Sequence, residues 1–174
     1  MNKYLSRFAF AAALLASSAA LAASPLTYAP GTNGYGSSIT LLTTGCNSIA
    51  NASFCTLGSE VNNSSGQNAI YSDVVFTAGG TFTPTSPAYI SCWLLVAADG
   101  TNYEDGSDSG PVTPGRPADF QINIRSGTTI TPVQAARQVV LPPGKFKALC
   151  QNNTGATLPA SGNTIIAYPF QLQQ

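Results

Sequence analysis

The chain is 174 residues long, with seven basic side chains, seven acidic side chains and no histidine. Without histidine there is no Ser-His-Asp triad, no Cys-His pair and no histidine-ligated zinc. The few cations form no basic stripe, which excludes nucleic-acid binding by phosphate neutralisation.

Lys3 and Arg7 give the N-terminus a positive start. An apolar run over residues 8–15 follows, and residues 17–23 are nearly all small. Ala20-Leu21-Ala22 fits the small-x-small pattern cut by signal peptidase, with Leu21-Ala22-Ala23 as a one-residue alternative, so a cleavable signal peptide is expected over residues 1–22. The apolar run is about half of the roughly 20 residues a spanning helix needs. Nothing later is apolar for long enough either, so no transmembrane segment is expected after cleavage. The mature chain is then exported to the periplasm, the cell surface or the medium. Residues 23–37, rich in Pro, Gly, Thr and Tyr, read as an extended N-terminal arm, and residues 38–174 as one domain.

Four cysteines in an exported chain point to disulfides. Three pairings are open, and the favoured one is Cys46–Cys55 with Cys92–Cys150. Cys46 and Cys55 flank a short polar stretch. Cys92 shares a strand face with Ile90, Leu94 and Val96, and Cys150 shares one with Phe146 and Ala148, because side chains alternate along a strand. The competing thiolate metal site lacks a C-x-x-C pair.

Short β-rich runs between turn residues then recur along the chain. The first covers residues 38–43. A second, over 69–77, puts Ile70, Val74 and Phe76 on one face. The run 88–97 is apolar on both faces, as a central strand would be, with Trp93 expected to pack in a core. Residues 119–125 alternate, with Phe120, Ile122 and Ile124 inward. Residues 133–140 read either as a turn of helix or as a strand starting at 136. Runs over 145–151 and 163–170 complete the set, with a loop beginning at Asn152-Asn153. Asp99-Gly100 and Leu141-Pro142-Pro143-Gly144 mark turns. The expected fold is an all-β antiparallel β-sandwich, jelly-roll or immunoglobulin-like, of about 7–9 strands and stapled by disulfides.

The chemistry on offer is sparse. Carboxylates gather at Asp99, Glu104, Asp105 and Asp108, which makes them a candidate calcium site. Their spacing does not follow an EF-hand, and a solvated hairpin tip is the plainer reading. Paired-carboxylate catalysis needs a cleft and shifted pKa values that such a tip does not supply. No enzymatic role and no cofactor are expected. Tyr28, Tyr35, Tyr71, Tyr89, Tyr103 and Trp93 are the candidates for a glycan platform. Of these, Tyr28 and Tyr35, on the arm, are assigned to partner contact. Asn51, Asn62, Asn63 and Asn152 each head an N-x-Ser/Thr triplet, which a chain rich in Asn and Ser produces by chance.

The string Asp99-Gly100-Thr101-Asn102-Tyr103-Glu104-Asp105-Gly106 is followed by Leu141-Pro142-Pro143-Gly144-Lys145-Phe146-Lys147. Then come Asn152-Asn153-Thr154-Gly155-Ala156 and Ala160-Ser161-Gly162-Asn163-Thr164. With Gly58-Ser59-Glu60-Val61-Asn62-Asn63 ahead of them, these turns in this order resemble a group of small virion-associated structural proteins of tailed bacteriophages. The resemblance spans residues 58–168 and implies a β-sandwich packed in many copies on a particle, without catalysis. Phage structural proteins normally lack a signal peptide, so here the fold would have been redirected outside the cytosol. The expected role is an exported, phage-related structural or interaction protein. It would decorate a particle or surface, or multimerise, through strand edges and loops, with protein as its partner. A fimbrial-type adhesin with a glycan partner is the alternative.

Overall fold

A computed structural model describes residues 27–28, 35–64, 70–106, 109–170 and 172–173. The expected leader and most of the expected arm lie outside them. Ten strands form among the described residues: β1 (Thr27–Tyr28), β2 (Ile39–Leu42), β3 (Val61–Asn62), β4 (Tyr71–Thr77), β5 (Tyr89–Ala97), β6 (Phe120–Asn123), β7 (Val133–Val140), β8 (Lys145–Asn153), β9 (Thr164–Phe170) and β10 (Leu172–Gln173). Eight of them make two four-stranded antiparallel sheets, ordered β2-β9-β4-β7 and β3-β8-β5-β6, while β1 pairs with β10. The pairs β1–β10, β2–β9, β3–β8, β4–β7 and β5–β6 are nested inside one another. The chain is therefore one long antiparallel hairpin folded over on itself. That is the double-sheet arrangement of a jelly roll, and it decides between the two sandwich types the sequence left open.

The core lies between the sheets and follows from alternation. On β5 and β8, Ile90, Cys92, Leu94, Phe146, Ala148 and Cys150 face inward, as the sequence predicts. From the other sheet come Val74, Phe76, Ile165 and Ala167, all fully buried. Both expected disulfides are present, Cys46–Cys55 and Cys92–Cys150. Cys92 and Cys150 are directly opposed on neighbouring strands, with Cα atoms 4.1 Å apart. Cys55 N–H donates to Cys150 O over 2.8 Å, which brings the two bridges side by side.

Three sequence expectations are corrected. Ile70 is not core but 59% exposed, because β4 begins after it and Ser72 takes the next inward position. Residues 133–140 are entirely strand. Asn152 and Asn153 belong to β8, paired with Ile90 and Tyr89, rather than to a loop. Burial explains the Asn152 case. Its amide donates to Ile49 O and Ala156 O, and its Oδ1 accepts from the Thr154 N–H and hydroxyl. Asn163 does the same work for three other loops, donating to Cys46 O and Pro159 O and accepting from Gly79 N–H. A buried amide with every group satisfied fixes irregular backbone that no ladder reaches.

The sheet edges are irregular. Along the free side of β8, Ala52, Cys55, Gly58, Val61 and Asn63 meet Asn152, Cys150, Ala148, Phe146 and Gly144 in turn. The edge segment thus spends extra residues at nearly every step, which is repeated bulging. At the opposite side β6 has four residues. β2 slips register between Thr40 and Leu42, and β7 between the partners of Ser72 and Val74. Short, bulged edges are poor templates for another strand.

Candidate interaction surface

The two outer faces of the sandwich are treated differently by the chain. Outside the β3-β8-β5-β6 sheet, Trp93, Leu95 and Leu149 form a second apolar cluster, covered by Phe54, Leu57 and Ala118. The Phe54 ring lies 5.8 Å from Trp93, and the indole N–H donates to Arg116 O over 2.9 Å. Trp93 is therefore packed as expected, although on the outer side of its sheet. Tyr103 is also buried here, under Lys147, whose Nζ lies 4.2 Å from the ring centroid. Its hydroxyl donates to Glu60, which also pairs with Lys145 at 3.2 Å. The Tyr103 hydrogen bond first, and Lys145 second, hold the Glu60 carboxyl below the usual glutamate range.

The same loop seals part of a strand edge. β6 pairs with β5 only from Tyr89 to Cys92. Beyond that, Leu94 N–H donates to Asp119 Oδ2 (2.6 Å) and Val96 N–H to Glu104 Oε2 (3.3 Å). Arg116 donates to Leu94 O (3.1 Å) and to both carboxylates. Asp119, ahead of Glu104, pushes the Arg116 pKa up. Side chains thus stand in for the missing strand. A groove of about 730 Å³ opens beside this latch, between β6 and β7.

The candidate calcium ligands do not converge. Asp99 caps its own turn, accepting from the Thr101 and Asn102 N–H groups at 2.8 and 2.7 Å and from the Asn102 amide. The backbone donors, Asn102 first, pull its carboxyl below the ordinary aspartate range. Glu104 serves the latch, and Asp105 accepts from Gly115 N–H at 3.4 Å. Asp108 lies outside the described residues. No three His, Cys, Asp or Glu side chains among the described residues are grouped to hold a metal.

Outside the β2-β9-β4-β7 sheet no loop roof comparable to that one is seen among the described residues. Tyr35 lies edge-on to Tyr168 and Phe170, each at 6.1 Å, and Phe170 stacks on Tyr71 at 6.0 Å. Asp73 orders this group. Its Oδ2 accepts from the Tyr35 hydroxyl (2.7 Å) and its Oδ1 from Gln138 N–H (3.0 Å). Gln138 has a φ of 55° and, with Arg137, opposes Asp73 in a bulge. Strict alternation from buried Ala136 would turn Val140 inward and Val139 and Leu141 outward. The extra residue reverses all three, burying Val139 and Leu141 and presenting Val140 beside Tyr71. The exposed large apolar side chains, Ile70 (59%), Tyr71 (37%), Val133 (62%) and Val140 (62%), all lie on or next to β4 and β7.

Of the sequence candidates, Tyr35 and Tyr71 are brought together, whereas Trp93 and Tyr103 go to the roofed face and Tyr89 is half-buried at the start of β5. Tyr28 falls in β1, and its side chain lies outside the described residues. The sequence reading missed Tyr168, Phe170 and Val140 as surface groups. The signal was present in β9, where Ile166, Tyr168 and Phe170 form a second apolar face opposite Ile165 and Ala167. Comparison with protein-family models, curated proteins and solved structures gave no match.

Proposed function

We propose that this chain is an exported, non-enzymatic structural or interaction protein, related to the virion-associated proteins of tailed phages, that assembles in copies or decorates a particle or cell surface. The observation that carries the reading is the asymmetry of the outer faces. One is covered by the chain's own loops, and the other presents exposed Tyr71 and Val140 side by side, with Val133 at the far end of β7. A clustered apolar patch on a soluble domain marks an interaction site. The carboxylates that might have done acid–base work are bound to turn N–H groups, to the β5 edge or to Arg116, which also supports a role without catalysis. The two buried disulfides fit an oxidising destination. The jelly-roll pairing adds support by analogy alone, since the arrangement recurs in viral coat proteins and lectins. Sedimentation of the mature protein in its producing cells tests the reading. It should travel with particles or envelope, or as a multimer; a free monomer in the medium would count against it.

A glycan-binding adhesin is the second reading, favoured by the stacked Tyr71–Phe170 pair with Tyr71 at the surface. Glycan-array binding that disappears in Tyr71→Ala would support it over the first.

A further inference from the structure

We infer that the partner of the open face is a second copy of this chain, docked face to face through the outer surface of β9, β4 and β7 about a twofold axis. This rests on the assembly reading above and names its contact.

Three observations converge on it. First, the edges are poor docking sites. Extra residues interrupt β2, β7 and the segment along β8, and β5 beyond Cys92 is sealed by Asp119, Arg116 and Glu104. Copies that pair strand to strand need a regular row of unpaired N–H and C=O groups, and these edges are built against it. A face is what remains.

Second, the face can meet itself. A twofold contact sets the same patch against the same patch, so any charge on it meets like charge near the axis. On β4 and β9 the outward side chains, at alternate positions from Tyr71 to Thr77 and from Thr164 to Phe170, include one charge, Asp73, and end in the polar pair Thr77 and Thr164. That charge, Asp73, is turned to hydrogen bonds from Tyr35 and Gln138. Arg137 stands at the β7 edge of the patch, inside the bulge. A nucleic acid or a charged peptide would find little here to recognise, whereas another uncharged apolar face would.

Third, the size sets the strength. Three strands about 4.8 Å apart and about seven residues long span roughly 14 by 23 Å, a footprint on the order of 330 Å². A stable isolated dimer covers about 800 Å² per partner. The contact is therefore less than half of what a free-standing dimer requires and suits a particle surface, where many weak contacts act together. A contact this small is weak in dilute solution.

Sedimentation equilibrium of the mature protein, from about 10 µM to about 1 mM, tests this. Tyr71→Lys/Val140→Lys is compared with Asn123→Lys on the opposite sheet, each checked for folding by circular dichroism. Weak dimerisation is expected in the wild type and in Asn123→Lys, and more than about a tenfold loss in the double variant. Tyr71→Cys should form an intermolecular disulfide on mild oxidation, because the described cysteines are all bridged. Dimerisation that survives the double variant unchanged overturns this face while leaving the assembly reading standing. A wild type that stays monomeric throughout overturns the inference. If that monomer still sediments with particles, the assembly reading holds with a different partner; if it does not, both fall.

Discussion

Removing the Cys92–Cys150 bridge should cost more stability than removing Cys46–Cys55, and the reason is the unfolded chain rather than the core. All four cysteines are fully buried and lie in one core cluster. Cys→Ala pairs therefore create similar voids at the two bridges, and the packing losses roughly cancel in the comparison. What differs is loop length, with sequence separations of 58 and 9. The chain-entropy relation then gives about 4 kcal/mol for the long loop and about 2.5 kcal/mol for the short one. Against a domain stability of about 5–15 kcal/mol, the long bridge alone is a large share. Urea unfolding followed by the fluorescence of the single tryptophan, Trp93, measures both. The denaturant slope should also rise when the long bridge is absent, because the unfolded chain expands. An equal or larger cost for Cys46→Ala/Cys55→Ala would refute the reasoning and shift the stabilisation to native-state packing. A thiol reductant added without denaturant should reduce either bridge no faster than the domain opens, since both are inaccessible when folded.

Asp73→Ala should lower stability by about 2 kcal/mol, the cost of leaving the Gln138 N–H without its charged acceptor and freeing Tyr35. Thermal melts check the size, and an unchanged melting temperature would show that the bulge holds itself. Ser72 Oγ is buried without a partner among the described residues, so Ser72→Ala should be neutral or stabilising by about 1 kcal/mol; a clear loss would mean that the hydroxyl has a partner after all. The Glu60 carboxyl has a folded pKa below the usual glutamate range. Its tether to Tyr103 and Lys145 is therefore complete above the unfolded value and is lost as pH falls through the lower folded one. Tyr103→Phe should move the Glu60 titration, followed by carboxyl-carbon NMR, back up toward the ordinary range.

Much of the sandwich was legible because alternation is a local property. Ile90, Cys92 and Leu94 against Trp93 and Leu95, or Phe120 and Ile122 against Gln121 and Asn123, declare their two faces in any strand. The Cys92–Cys150 pairing followed from the same reading, and Cys46–Cys55 from the short polar stretch they flank. What the sequence hid is set by register and long-range contact. Gln138 adopts a left-handed φ because Asp73, 65 residues earlier in the chain, receives its N–H. That one bulge moves Val140 to the surface and Leu141 to the core. Residues 52–63 lack alternation because they bulge at nearly every step along β8, so no strand pattern marks them. Tyr103 reads as a loop aromatic, and only the approach of Glu60 and Lys147 explains its burial. The candidate surface was half visible. Tyr35 and Tyr71 were named, but Phe170 and Val140 become their neighbours only through the pairing of β4 with β9 and β7.

Native mass spectrometry of the mature protein, recovered from the compartment where it accumulates and held at high concentration, tests the central claim most directly. The account predicts a chain cut after residue 22 or 23, lighter than its reduced form by the four hydrogens of two disulfides, with dimers or higher multimers that disappear in Tyr71→Lys/Val140→Lys. An uncut, fully reduced chain that stays monomeric at every concentration would contradict it.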